Sequence, residues 1–196
     1  MSPALQLKAL IFDMDGTLVE PLLDFAAIRA ELEIPPGEGI IEAIDAMPPE
    51  PRRRADRLLL EHELSAARRA KLMPNAAQVV QAVRDAGLKT ALLTRNAAEA
   101  MHVVLERFPG LRFDLAWSRE QGPIKPEPDG ILRACRTLGA EPGATGCVGD
   151  YRYDIIAANA AGAVSILLAP GARPAFAEEA DFVIRNLKDL LDLLGI

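Results

Sequence analysis

Five short runs in this chain are apolar along both of their faces: KALIFD (8–13), LKTALLT (88–94), FDLAWS (113–118), ATGCVGD (144–150) and AVSILLA (163–169). A strand without a polar face has to be covered on both sides, and a parallel sheet sandwiched between helices provides that cover. Amphipathic segments at 75–86, 97–107, 127–138 and 152–161 fill the gaps between the runs. ADFVIRN (180–186) reads as one more short strand, with a last helix at 187–194. Strand and helix repeated in this order predict an α/β fold with a doubly wound, Rossmann-like parallel sheet. Gly87, Gly139 and Gly162 fall at helix C-caps, while Pro74–Asn75 and Pro126/Pro128 open two helices.

Residues 18–73 break the alternation. They hold no good strand but three helical patterns, at 22–33, 37–46 and 50–71, with MPPEP (47–51) before the third. The segment reads as a helical cap of 18–73 inserted after the first strand, leaving 1–17 and 74–196 to form the core. With 196 residues, a medium α/β domain carrying a small insertion is the natural size.

In open α/β sheets, ligands bind outside the carboxyl ends of the strands. The first strand ends in Asp13, with Asp15 and Gly16 just beyond; the second ends in Thr94, followed by Arg95 and Asn96. The fourth ends in Gly149 and Asp150, with Asp154 four residues on, and Lys125 stands among prolines in GPIKPEP. Asp13, Asp150 and Asp154 offer oxygen ligands to a hard divalent cation such as Mg²⁺, which would also supply the charge that lets clustered acids coexist. Thr94 and Lys125 are a hydroxyl and a compact cation, the donors a phosphate needs. Gly16 permits a tight turn from which backbone N–H groups can face an anion.

Other chemistries find no support. A calcium loop aligned on Gly16 would begin at Ile11 and end at Leu22, where acids are required. No G-x-G-x-x-G follows the first strand, and no G-x-x-x-x-G-K-[ST] occurs. A net charge of −6 leaves no basic surplus for nucleic acid or an anionic membrane surface. No apolar run has membrane-spanning length, and no basic start leads into a secretory apolar core, so a cytoplasmic protein is expected. Cys135 and Cys147 lack metal-ligand spacing and read as small buried hydrophobes.

Four of these stretches together resemble the haloacid dehalogenase superfamily. DMDGTL is similar to its first motif, D-x-D-G-T-L; ALLTR to its second, an apolar strand ending in Thr or Ser. Lys125 in IKPEP is similar to the third, a lysine before Pro-x-Pro, and GDYRYD to the fourth, G-D-x-x-x-D. The motifs follow in the family's order from residue 8 to about 169, and phosphoglycolate phosphatase-like members with a small helical cap are the nearest kind. The resemblance implies a Mg²⁺-dependent phosphatase acting on a small phosphorylated metabolite. Asp13 would be the nucleophile that forms an aspartyl phosphate, and Asp15 the general acid and then base. Thr94, Arg95, Lys125 and Gly16 would bind the phosphoryl group. The metal shell would be the Asp13 carboxylate, the Asp15 carbonyl and the Asp150 carboxylate, with Asp154 supporting it through water or by holding Lys125. Glu20 and Pro21 follow DGTLV where such phosphatases usually carry Asp, a departure at the cap hinge.

Two neighbouring functions fit the residues less well. The superfamily's sugar phosphomutases carry a His at the cap hinge, and VEPLLDF has none. Phospho-aspartate receiver modules place the phosphorylated Asp on the third strand, which here ends AWS. Among the remaining residues, Asn96 is expected to cap the helix at 97, His102 to lie on a surface, and Phe113 and Trp117 to pack in the core. The basic cluster Arg52, Arg53, Arg54 and Arg57, near His62, reads as a solvated helix face with Glu61 and Glu63 rather than as a contact for an anionic substrate tail.

Overall fold

The computed structural model describes residues 4–196, so residues 1–3 of the expected core lie outside it. Its centre is a six-stranded, wholly parallel sheet: β1 (Ala9–Phe12), β2 (Lys89–Leu93), β3 (Leu115–Trp117), β4 (Thr145–Gly149), β5 (Val164–Leu168) and β6 (Phe182–Ile184), in the spatial order β3-β2-β1-β4-β5-β6. Strand order reverses between β1 and β4, whose register pairs Phe12 with Val148. The crevice that such a reversal opens lies just past these two strands, where Asp13 and Asp150 follow.

Successive side chains of β1 point to opposite faces, as a strand requires. Leu10 and Phe12 enter one core layer, with Val79, Val80 and Val83 of α4 (Ala76–Asp85), Met101 and Val104 of α5 (Ala98–Arg107), and Leu190 and Leu194 of α8 (Asp189–Leu194). Ile11 enters the other, with Ile131, Ala134 and Cys135 of α6 (Asp129–Leu138) and Ala157, Ala158 and Ala161 of α7 (Arg152–Ala161). Phe12 is fully buried, and hiding a side chain of that size contributes about 1.5–3 kcal/mol. The fold class read from the apolar runs is therefore the one observed. Phe113 packs against Phe12 with ring centroids 6.1 Å apart, and Trp117 carries the Arg133 guanidinium over its ring at 5.0 Å. Both cysteines are free and buried, and burial pushes both thiols up, which keeps them unreactive.

Between β1 and α4 run α1 (Phe25–Glu31), α2 (Ile40–Asp45) and α3 (Pro49–Arg69). The first two are shorter than their apolar patterns. Asp24 sets the start of α1 by accepting the Ala27 N–H at 2.9 Å. Glu33, with a positive φ of 56°, ends its pattern just before Pro35 and Pro36. Ile28, Ile34, Ile40, Ile44, Ala55 and Leu59 form a cluster of their own, whereas Ala67 at the end of α3 and Ala70 just beyond it join the main core. The chain leaves and re-enters at one point: Glu20 N–H donates to Lys71 O and Met73 N–H to Leu18 O, each at 2.9 Å.

Candidate active site

Lys125 lies at the centre of the polar cluster. Its side chain is buried, and Nζ donates to Asp13 Oδ1 at 2.5 Å, Asp154 Oδ1 at 2.6 Å and the Leu93 carbonyl at 3.0 Å. An ammonium has three donors, and all of them are engaged. Its two carboxylate neighbours hold its pKa above the ordinary value although burial opposes this. Asp13 is held in place from its backbone as well, its N–H donating to Val148 O at 2.9 Å and so extending the β1–β4 ladder by one residue. Burial pushes the Asp13 carboxyl well above the usual range; Lys125 pulls it back, while Asp154 and Asp150 push it further. Asp154 also accepts the Tyr151 N–H at 3.1 Å, so this one acid satisfies the N-cap of α7 as well as holding Lys125.

Asp150 faces Gly16. Gly16 has φ of 80°, and a Cβ there would collide with the Asp150 carboxylate. Its N–H donates to Val19 O at 2.8 Å. The glycine thus serves the cluster by permitting the close approach of Asp150, and its own N–H is spent on the turn. Oxygens of Asp13, Asp150 and Asp154 lie within 4.8 Å of one another. Burial and the neighbouring Asp154 push the Asp150 carboxyl up to about 7.

This donor set fits a hard divalent cation. It consists of carboxylate oxygens only, it carries more negative charge than Lys125 neutralises, and Asp150 has no ion-pair partner among the described residues.

Asp15 points elsewhere than Asp13. Its Oδ2 accepts the Asn96 side-chain N–H at 2.6 Å, and burial raises its pKa to about 6 against the opposing pull of that hydrogen bond and of Lys125. The expectation that Asn96 caps the helix at 97 is therefore corrected. Ala97 occupies the N-cap of α5, and the buried Asn96 amide is directed to Asp15 instead. Thr94 is buried beside it, its Oγ1 accepting the Asn96 N–H at 3.1 Å, which leaves the hydroxyl hydrogen to be donated elsewhere. Arg95 stands at the rim. Its guanidinium donates to the Lys125 carbonyl, lies over the Tyr153 ring at 4.8 Å and pairs with Glu42 of α2 at 2.8 and 3.0 Å.

A further acid belongs to this neighbourhood, and the sequence reading assigned it to a solvated face. Glu63 of α3 is 2% exposed, pairs with Arg119 and accepts the Ala97 N–H at 3.0 Å. The signal was present: position 63 continues the buried stripe of Ala55, Leu59, Ala66 and Ala67. The basic cluster behaves as expected of a solvated face. Arg52, Arg53, Arg54 and Arg57 are exposed, with Arg52 on Asp45 at 2.5 Å and Arg53 on Glu50. His62 lies 3.2 Å from Glu31, and His102 is exposed.

The chain has clear relatives. The family model of the haloacid dehalogenase-like hydrolases matches residues 7–162. A phosphoglycolate phosphatase of Chromobacterium violaceum is 32% identical, over 96% of this chain and 96% of its own length. A haloacid dehalogenase-like hydrolase domain-containing protein of Arabidopsis thaliana is 32% identical over 83% of this chain and 71% of its own. The crystal structure of a hydrolase from Pseudomonas syringae superposes with a TM-score of 0.80 at 21% identity, covering 96% of this chain and 98% of that one, which bears on the fold alone. By sequence and by fold, this chain belongs to the haloacid dehalogenase-like hydrolase family, on the phosphatase side occupied by its phosphoglycolate phosphatase relatives.

Proposed function

We propose that this chain hydrolyses small phosphomonoesters with Mg²⁺ bound, through an aspartyl phosphate on Asp13, and that short phosphorylated acids of the phosphoglycolate type are its first candidate substrates. The observation that carries the reading is the cluster itself: Asp13 at the strand-order reversal, 2.5 Å from Lys125 Nζ, with Asp150 and Asp154 within ligand reach of the same point. Asp13, Asp150 and Asp154, with the Asp15 carbonyl, would hold the metal. The chemistry that Mg²⁺ supplies when bound is neutralisation of the carboxylates and of the transferring phosphoryl oxygens.

Asp13 Oδ1 is tied to Lys125, which leaves Oδ2 to attack phosphorus. The P–O bond to Asp13 forms as the P–O bond to the alcohol breaks, and Asp15 gives its proton to the departing oxygen. A water then attacks the aspartyl phosphate, Asp15 takes a proton from it, and inorganic phosphate leaves. A carboxyl raised to about 6 can both donate and accept a proton near neutral pH. Splitting the displacement into two steps is nucleophilic catalysis, and Lys125 and Thr94 would steady charge on the phosphoryl group. Residues 18–73 would act as the cap that excludes water and selects the substrate.

A panel of phosphate esters assayed with Mg²⁺ tests the reading. Turnover of at least one small ester, abolished in Asp13→Asn, is expected; no turnover, or undiminished turnover in that variant, overturns it. Transfer of the phosphoryl group to a sugar instead of water would reveal a mutase.

A further inference from the structure

The loop that joins β2 to α5 is held at most of its backbone groups, and Glu63 with Arg119 supplies a large share of the grip. Thr94 N–H donates to Trp117 O at 3.0 Å, and Arg119 N–H donates to Asn96 O at 3.1 Å. The Arg119 guanidinium donates to Arg95 O at 3.3 Å and pairs with Glu63 Oε1, while Glu63 Oε2 accepts the Ala97 N–H at 3.0 Å. The peptide groups on both sides of Asn96 are thereby fixed by one ion pair. Asn96 in turn holds Asp15 at 2.6 Å. The start of α5 has no capping side chain of its own; Glu63 reaches it from α3, which packs along α5.

Stability alone does not explain the pair. A buried ion pair is often no better than apolar residues of similar volume, and Glu63 interrupts a stripe otherwise made of Ala and Leu. We propose that Glu63 is a positioning residue for proton transfer: with Arg119 it sets the peptides around Asn96 so that the Asn96 amide is aimed at Asp15 only while α3 is docked on the core. This rests on the reading of Asp15 as the proton-transfer group. It gives the inserted helix a direct mechanical link to the chemistry, distinct from any contact with substrate.

A mutant cycle on the full chain tests it, with p-nitrophenyl phosphate and Mg²⁺ and with Glu63→Ala, Glu63→Gln, Asn96→Ala and the double variants. Glu63→Ala is expected to lower kcat about 10-fold, with KM changed less than about 2-fold, since a small misplacement of a reacting group costs rate rather than binding. Gln keeps an acceptor for the Ala97 N–H and should restore part of the loss. In the Asn96→Ala background, the Glu63 change should cost at most about 2-fold, because its route to Asp15 is already cut. An unchanged kcat in Glu63→Ala, or an equal loss in both backgrounds, overturns the proposal. If Glu63→Ala fails to fold, Glu63→Gln carries the same cycle. If the wild type turns over no ester, the phosphatase reading fails, and the link is then read from the Asn96 side-chain amide resonance by NMR. A shift in Glu63→Gln supports it, and an unmoved resonance overturns it.

Discussion

The carboxyl edge of the sheet and the first turns of α3 are both dense in charge, and they hold it in opposite ways. At the start of α3 every arginine reaches solvent, and the pairs formed there are local: Arg52 meets Asp45 at 2.5 Å and Asp56 at 3.8 Å, and Arg53 meets Glu50. At the sheet edge one lysine, 9% exposed by its side chain, is shared between Asp13 and Asp154, and the remaining charge has no counter-ion among the described residues. Exposed pairs contribute roughly 0–1 kcal/mol each and lose little when broken. Buried charges are costly to strand, and they shift one another's proton affinity. The first patch stays solvated; the second stores electrostatic stress that a cation and a phosphate would relieve.

The sharpest way to test this contrast is to remove the proposed nucleophile. Asp13→Asn keeps the shape and the Lys125 contact, yet it should reduce phosphate-ester turnover by about 10³-fold or more, measured as initial rates with Mg²⁺. Next comes the shared lysine. Lys125→Met leaves Asp13 and Asp154 buried without their cation and should destabilise the fold by about 3–5 kcal/mol in urea unfolding. A loss below about 1 kcal/mol would mean that the edge behaves like the exposed patch.

Asp150→Asn should act with the opposite sign on the metal-free protein. The folded state holds the Asp150 pKa at about 7, above its ordinary 3.8. The folded state then binds more protons than the unfolded one between these values, so this group's contribution to stability is lost as pH rises across the window. Replacing it should raise the metal-free melting temperature at pH 7.5 by ~2–4 °C per kcal/mol relieved, with no gain at pH 4. Mg²⁺ is expected to protect the wild type against heat, and the same variant should lose most of that protection. Smallest of all is the expected effect at the exposed patch. Gln at Arg52, Arg53, Arg54 and Arg57 should change stability by about 0.5 kcal/mol or less and leave KM for small esters unchanged. A large rise in KM confined to esters with anionic tails would move that patch into the substrate site.

Much of the edge is legible in the amino-acid sequence. Asp13, Thr94, Lys125 and Asp150 each follow an apolar run or a proline frame, and strand ends in a doubly wound sheet converge by topology. Asn96 and Glu63 were misread for one reason: each has a common local use, as a helix cap or a solvated helix acid, and the local use was preferred. For Glu63 the helical stripe already contradicted that choice.

The amino-acid sequence by itself determined the elements, their order and the chemistry at the strand ends, because hydrophobic periodicity and the residues that end an element act between chain neighbours. The tertiary structure alone decided which partner each polar group took. Asn96 meets Asp15 across 81 residues, Lys125 meets Asp13 across 112 and Glu63 meets Ala97 across 34. Burial penalises an unpaired polar group but names no partner. That choice fell to the packing of α3 on α5 and to the crossing of β1 between β2 and β4.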